Sequence, residues 1–391
     1  MNKKSIVIEG NFVEAYLYFD HLWLISAHGE TWAFDISLYL SESDPSTFEV
    51  ARAVFANNDQ LAPGQQFFSY DHLGQPTRDY LDTGDLHITS AELEQYSVIF
   101  DTRISARSVM DMRCYYGRAF VATENQVIQL RVLNRADLDH VGRGFRANGQ
   151  LGGWKVHEAR CLQFRCGFGA LNISCGDDGG LYSTGASSDD VNWRPAFKSF
   201  AGKSTASEYI AERLVSVGGD LKVDLFHSLM KARGSASPEE MLGEEEKAEK
   251  ELIGLERDQG DEVDAIYKSM DEIAGDKEWQ PRRVFFSKSK IWLCGPKGQL
   301  ASVNVAERSQ WINPTASTRM PGLDSTVLRI STSGAGLLAE LDESAVLYAD
   351  RRWQTIFDGA VYSVRGYPQS KRYTKMITAV GEDRAQLTFV A

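Results

Sequence analysis

The stretch Leu337-Leu338-Ala339-Glu340-Leu341-Asp342-Glu343-Ser344-Ala345-Val346-Leu347-Tyr348 sets two apolar runs on either side of a short polar turn. Alternation with a period of two, interrupted by turn residues, is the signature of a β-hairpin. The same arrangement recurs along the chain. Leu22-Trp23-Leu24-Ile25 lead through His28-Gly29-Glu30 to Trp32, Phe34 and Ile36, and Ala119 to Ala122 lead through Glu124-Asn125 to Val127 to Val132. Leu171 to Ser174 meet Gly176-Asp177-Asp178-Gly179, and Leu214 to Val217 meet Gly218-Gly219-Asp220. Ile291 to Leu293 meet Gly295-Pro296-Lys297-Gly298, and Met376 to Val380 meet Gly381-Glu382-Asp383. A weaker candidate lies at His72-Leu73-Gly74-Gln75-Pro76, between Phe67-Phe68 and Tyr80-Leu81.

Turns at positions 28, 73, 124, 177, 218, 296, 343 and 382 are 39 to 53 residues apart, except for one step of 78 residues from 218 to 296. That step contains the acidic part of the protein. Residues 239 to 278 hold sixteen acidic and five basic side chains, so they carry −11 of the total formal charge of −12. Without those forty residues the long step shortens to 38, which restores the period. A period of about 40–50 residues is the length of a four-stranded propeller blade. Trp193, Trp311 and Trp353, each near a strand end, add an aromatic echo.

On these residues the chain resembles the broad class of β-propeller repeat proteins over most of its length. No Trp-Asp or double-glycine signature recurs, and Asp177-Asp178-Gly179-Gly180-Leu181-Tyr182 resembles a degenerate Asp-box turn. The expected fold is all-β, a propeller of about seven blades (six to eight) with an α-helical insertion. A β-sandwich or two smaller β-domains is the other architecture the pattern allows. Blades stacked around an axis bury both faces of each hairpin. Ser5-Ile6-Val7-Ile8 is expected to close the ring beside Gln386 to Val390. The boundaries fall at 1–236 and 281–391 for the propeller and 237–280 for the insertion.

Within the insertion, Ser237-Pro238-Glu239-Glu240 suits a helix start, with a capping serine, proline at the first position and acid in the first turn. Helices are expected over 238–258 and 261–274, divided at Gly260. Leu252 and Leu255 on the first, and Val263, Ile266, Met270 and Ile273 on the second, form an apolar stripe. Either the two helices cover each other or the stripe docks a partner protein, steered by the surrounding charge.

The body is nearly neutral, with two basic concentrations. Arg131, Arg135, Arg143, Arg146, Lys155, Arg160 and Arg165 face only Asp137, Asp139 and Glu158, and Arg365, Lys371, Arg372 and Lys375 alternate with Tyr362, Tyr367 and Tyr373. Arg143, Arg146, Arg160, Arg365 and Arg372 are the candidate anion-binding residues, because arginine with tyrosine suits phosphates, bases and protein hot spots alike.

Other chemistries find little support. No uninterrupted apolar window reaches membrane-spanning length, and the basic start is followed by too short an apolar run for a secretory leader, so a cytoplasmic protein is expected. Five sparse cysteines suit reduced, buried thiols, and Cys161 with Cys166 lack a second pair at zinc spacing. Asp177-Asp178 gathers too few oxygens for calcium. Gly142-Arg143-Gly144-Phe145-Arg146-Ala147 fits a dinucleotide fingerprint only formally, because no helix follows. No catalytic residues, metal or cofactor are therefore expected. The expected function is a non-enzymatic protein-interaction platform, a subunit of a larger cytoplasmic assembly with no membrane contact. The alternatives are an enzyme or small-ligand binder with a site in the central funnel, drawing on His21, Asp71, Asp111 and Arg113, and a nucleic-acid accessory protein using Arg131–Arg165.

Overall fold

Mostly antiparallel sheets of four or five strands, seven in all, follow one another along the chain. A computed structural model describes residues 2–61, 71–101, 104–105, 109–115, 118–130, 146–147, 154–185, 195–232, 250–258, 260–274, 281–287, 289–296, 298–307, 310–316, 320, 322–368 and 370–391. The innermost strands, in blade order, are Phe12–Tyr18, Val109–Tyr115, Gln163–Gly167, Ala206–Ile210, Arg283–Ser287, Val327–Ser333 and Val361–Gly366. Each packs beside the next, and the seventh packs beside the first. The chain is thus a closed seven-bladed β-propeller.

Every one of the seven strong hairpins joins the second and third strands of a blade. These turns are legible because they are local and chemically demanding. Gly29 sits at φ +86, and a Cβ there would collide with the Ile104 carbonyl oxygen. Such a position excludes most other residues. Between blades, side chains from facing sheets interdigitate, as where Phe120 of blade 2 meets Phe164 of blade 3 edge-on at 6.5 Å.

The ring closes as the sequence suggests. Lys3–Glu9 pairs antiparallel with Arg384–Val390, setting Ser5 opposite Thr388 and Ile6 opposite Leu387. A further strand, Leu86–Ile88, pairs in parallel on the other edge of Lys3–Glu9. The closing strand is therefore interior to a five-stranded sheet. Lys4 on this strand is fully buried, and its Nζ donates to the Gly84 carbonyl at 2.6 Å.

Three expectations need correction. The weak hairpin at His72–Pro76 lies within the helix Asp71–Asp82. It belongs to an excursion between the third and fourth strands of blade 1 that also holds helices Ile36–Ser43, Phe48–Phe55 and Ser90–Gln95. The expected helix 238–258 is a strand over Lys250–Arg257, the outermost of blade 4. Gly254 costs a helix interior about 1 kcal/mol relative to alanine, while antiparallel pairing with Val223–Ala232 satisfies one edge of the strand. Residues 233–249 lie outside the described residues. The third correction concerns the apolar stripe. The helix Asp261–Ala274 forms over the expected span, but it lies against the outer strands of blade 5. Ile266, Met270 and Ile273 are buried there among Val303, Val305 and Ile291. Val263 packs on the same cluster, Leu252 is buried within blade 4, and Leu255 packs on Phe226. The propeller itself covers the stripe of this helix. No helix among the described residues is long and apolar enough to cross a membrane.

Candidate functional site

Two places gather chemistry: the axis of the ring and one of its faces. At the axis, a charged side chain interrupts the apolar alternation on several innermost strands. Glu14 stands on blade 1, Asp111 and Arg113 on blade 2, Arg165 on blade 3, Glu208 on blade 4, Arg329 on blade 6 and Arg365 on blade 7. Arg365 Nη2 donates to Glu14 Oε2 at 2.5 Å and to Asp111 Oδ1 at 2.6 Å, and its Nε donates to Glu14 Oε1 at 3.1 Å. Arg165 Nη1 donates to Asp111 Oδ2 at 3.1 Å and its Nε to Glu208 Oε2 at 2.8 Å. Arg113 Nε lies 3.6 Å from Asp111 Oδ1. The chain Glu208–Arg165–Asp111–Arg365–Glu14 thus ties blades 4, 3, 2, 7 and 1 together across the axis.

Burial alone would push the Asp111 carboxyl up. The guanidinium groups of Arg113, Arg365, Arg165 and Arg329 outweigh that and hold it well below the usual aspartate range. A carboxylate held ionised in this way is a poor general base. Glu340, on the second strand of blade 6, is the opposite case, because burial pushes its carboxyl up despite Arg329. Its Oε2 is buried without a hydrogen-bond partner. The sign of its pH dependence follows. Below the ordinary glutamate value of about 4.3 the group is protonated in both states and costs nothing. As pH rises, the unfolded chain ionises first and is favoured. Glu340→Gln should therefore melt at the same temperature as wild type near pH 4 and higher at pH 7–8. An offset independent of pH in thermal melts would refute the assignment.

The sequence-derived candidates scatter around this network. Asp111 and Arg113 belong to it, as does Arg365, which is only 3% exposed and committed to two carboxylates. It is not available to an external anion, which corrects its expected role. Arg372 is bound to Asp20 Oδ2 at 2.9 Å, and Arg160 is exposed on a loop. Arg143 and the side chains of Arg146 and Asp71 lie outside the described residues. His21 lies away from the network, with Nδ1 2.7 Å from the Phe19 carbonyl oxygen. His157 and Cys175 approach to 3.3 Å, a spacing that suggests a reactive thiol. Burial pushes that thiol up to about 11, however, so it stays protonated. Among the described residues no group of three or more His, Cys, Asp or Glu is placed to hold a metal.

The face is the one bearing the turns between first and second strands. Phe19 in blade 1 and Phe168 in blade 3 occupy equivalent turns, at φ 49 and φ 50, and each is 52% exposed. A bulky residue in the left-handed region costs on the order of 1 kcal/mol, and exposing its ring adds nothing to compensate. Hydrogen bonds from the neighbouring blade hold both turns. The Asp20 amide donates to the Tyr373 hydroxyl at 2.7 Å, and that hydroxyl donates to Asp20 Oδ1 at 2.9 Å. The Gly169 amide donates to the Tyr115 hydroxyl at 2.9 Å. The Phe168 ring rests edge-on against Tyr209 at 5.1 Å, and Phe19 against Tyr18 at 4.3 Å. Sequence reasoning missed this pair. Its one local trace is a phenylalanine directly before aspartate or glycine at the end of an innermost strand.

No protein-family model matches the chain, and neither does any curated protein. Among solved structures it is similar to the β-propeller domain of Cps50 (Swd1) from Myceliophteria thermophila, with a TM-score of 0.47 and 10% identity over 98% of this chain and 97% of that one. The WD40 β-propeller domain of Doa1 gives a TM-score of 0.47 at 6% identity, covering 97% of each chain. YCF48 bound to D1 peptide gives 0.46 at 9%, covering 100% of this chain and 97% of that one. What the chain shares with them is the propeller fold.

Proposed function

We propose that the protein is a non-enzymatic interaction platform, a subunit of a multi-protein assembly, which engages its partner through the face carrying Phe19 and Phe168. One observation carries this reading. Two exposed phenylalanines sit at equivalent turns in a backbone conformation that glycine would adopt more cheaply, and tyrosines of adjacent blades hold them there. Aromatic side chains fixed in advance supply contact area at low entropic cost, as interface anchors do. The axis supports the same reading, because the bonded chain Glu208–Arg165–Asp111–Arg365–Glu14 links five of the blades that present the face.

The helical stripe expected to receive a partner is covered by blades 4 and 5, so the contact moves from the insertion to the propeller face. Phe19→Gly with Phe168→Gly relieves the backbone strain. The double variant should melt at or slightly above the wild-type temperature, yet lose the protein that co-purifies with the intact chain. Phe197→Ser, at a 37% exposed ring on the outer edge of blade 3, should retain it. Undiminished recovery with the double glycine variant would overturn the proposal.

A further inference from the structure

We infer that the occupant of this face is an extended protein segment that adds as a β-strand to the inner edge of residues 228–232, an inference that rests on the reading above. The third strand of blade 4, Val223–Ala232, is longer than its inner neighbour, Arg213–Val217. Their last paired residues are Leu214 and Phe226. The turn Ala211-Glu212 joins that neighbour to the innermost strand, so residues 228–232 run on past the face that carries Phe168. At about 3.3 Å per residue the overhang stands roughly 15 Å above that turn. The outermost strand, Lys250–Arg257, backs it on one side. Among the described residues nothing pairs with its other, inner edge. In the other six blades the third strand overruns the second by three residues at most. In blade 5, where that overrun is longest, the Ser289 carbonyl accepts from the Val305 and Ala306 amides.

One hydrogen bond fixes which main-chain groups lie on the open edge. The Leu225 carbonyl accepts from the Asp258 amide, on the outer side of the strand. Main-chain groups alternate in direction along a strand, so those of Ser228, Met230 and Ala232 point to the inner side. An open row of amides and carbonyls is a template for another chain in extended conformation. A docked helix, whose own amides are already bonded, would bury the same groups unpaired. Apolar surface flanks the edge on both sides. Leu229 shares a sheet face with Val223 and Leu225 and is 40% exposed. Ser228 shares the other face with Phe226 and lies beside Tyr209, on which the Phe168 ring rests at 5.1 Å. Successive side chains of an added strand point to opposite faces. One set would therefore meet Leu229 and the other would lie toward Phe168, so the segment is apolar on both faces and free of proline where it pairs.

The test pans a library of random 12-residue peptides on the full-length protein at about physiological salt and measures the affinity of synthesised winners. Their amides are then N-methylated one at a time. Alternate positions should lose about tenfold or more in affinity, and the intervening ones should keep it. Met230→Pro removes an inward amide and no bond to Lys250–Arg257, so it should weaken the winners by about tenfold or more. Met230→Ala, which keeps the amide, should bind them as the wild type does. Leu229→Ser should weaken them by about tenfold. All three variants should keep the wild-type melting temperature. Loss on the Phe19→Gly, Phe168→Gly variant but indifference to Met230→Pro would overturn strand addition and leave the docking face standing. N-methyl losses without alternation, or equal loss with Met230→Ala and Met230→Pro, would do the same. Sensitivity to Met230→Pro alone, with indifference to the phenylalanine variant, would keep the strand edge and overturn the docking face. Indifference to every variant, or no enrichment over the unselected pool, would overturn the inference outright. A wild-type dimer split by Met230→Pro would replace the peptide by a second copy of this chain.

Discussion

Arg365→Met is expected to destabilise the protein by about 3–5 kcal/mol, because it leaves Glu14 and Asp111 ionised and buried without their shared counter-ion. Both carboxylates are almost wholly enclosed, at 4% and 1% exposure. Methionine fills similar space, so lost packing contributes little. For a chain of this length unfolding as one unit, the drop corresponds to a melting-temperature decrease of about 5 °C. A double-mutant cycle separates the network from mere volume. Glu14→Gln in the Arg365→Met background should recover part of the loss, since one uncompensated charge has gone, whereas additive losses would deny the coupling.

The pH dependence has a definite sign. Asp111 is held below its unfolded value, so its contribution is fully present above about pH 4, the ordinary aspartate value. It is lost as pH falls from there toward the depressed folded value. Removing Arg365 takes away one cause of the depression, so the variant should lose stability less steeply on the acid side. A loss under about 1 kcal/mol at neutral pH, typical of an exposed pair, would show that the axis does not pin the blades.

Ile266→Asp is the second large effect, and it separates two roles for the acidic segment. Ile266 is fully buried in the cluster formed by blades 4 and 5 with the helix Asp261–Ala274. An aspartate there is an unpaired charge among apolar side chains, at a cost of about 3 kcal/mol or more. Chemical denaturation of the isolated protein should register that loss, and amide exchange over 261–274 should accelerate. Lys268→Asp, on the exposed side of the same helix, should shift stability by only about 0.5 kcal/mol. If Ile266→Asp left the isolated protein as stable as wild type and instead released a partner, the stripe would be a docking surface after all.

The legible and illegible parts of the sequence divide along the range of the interactions involved. The turns at Gly29 and Gly180 announce themselves because a positive φ at a tight turn is a local demand. The excursion between blade strands at 36–96 was missed although Thr89-Ser90-Ala91-Glu92 forms a capping box. Gly74 and Pro76, inside the helix Asp71–Asp82, argued locally for a turn there. Residues 250–257 read as helix because their neighbours are rich in Glu and Lys. A distant strand, Val223–Ala232, decides their state, and only Gly254 spoke against a helix. Arg365 and Arg372 looked alike as members of a basic run. One closes a buried network with residues 351 and 254 positions away, and the other stands at the surface beside Asp20.

The sequence by itself determined the repeating hairpin, the closing of the ring by the first strand, the location of the excess acid and the span of the helix 261–274. Each of these follows from alternation, turn chemistry or charge over a few dozen residues. Only the tertiary structure decided which charges meet at the axis, that blades 4 and 5 cover the apolar stripe, and that Phe19 and Phe168 share a face. Those facts depend on residues brought together by ring closure, and ring closure leaves no mark on any one segment, because each blade contributes only one or two of the side chains involved.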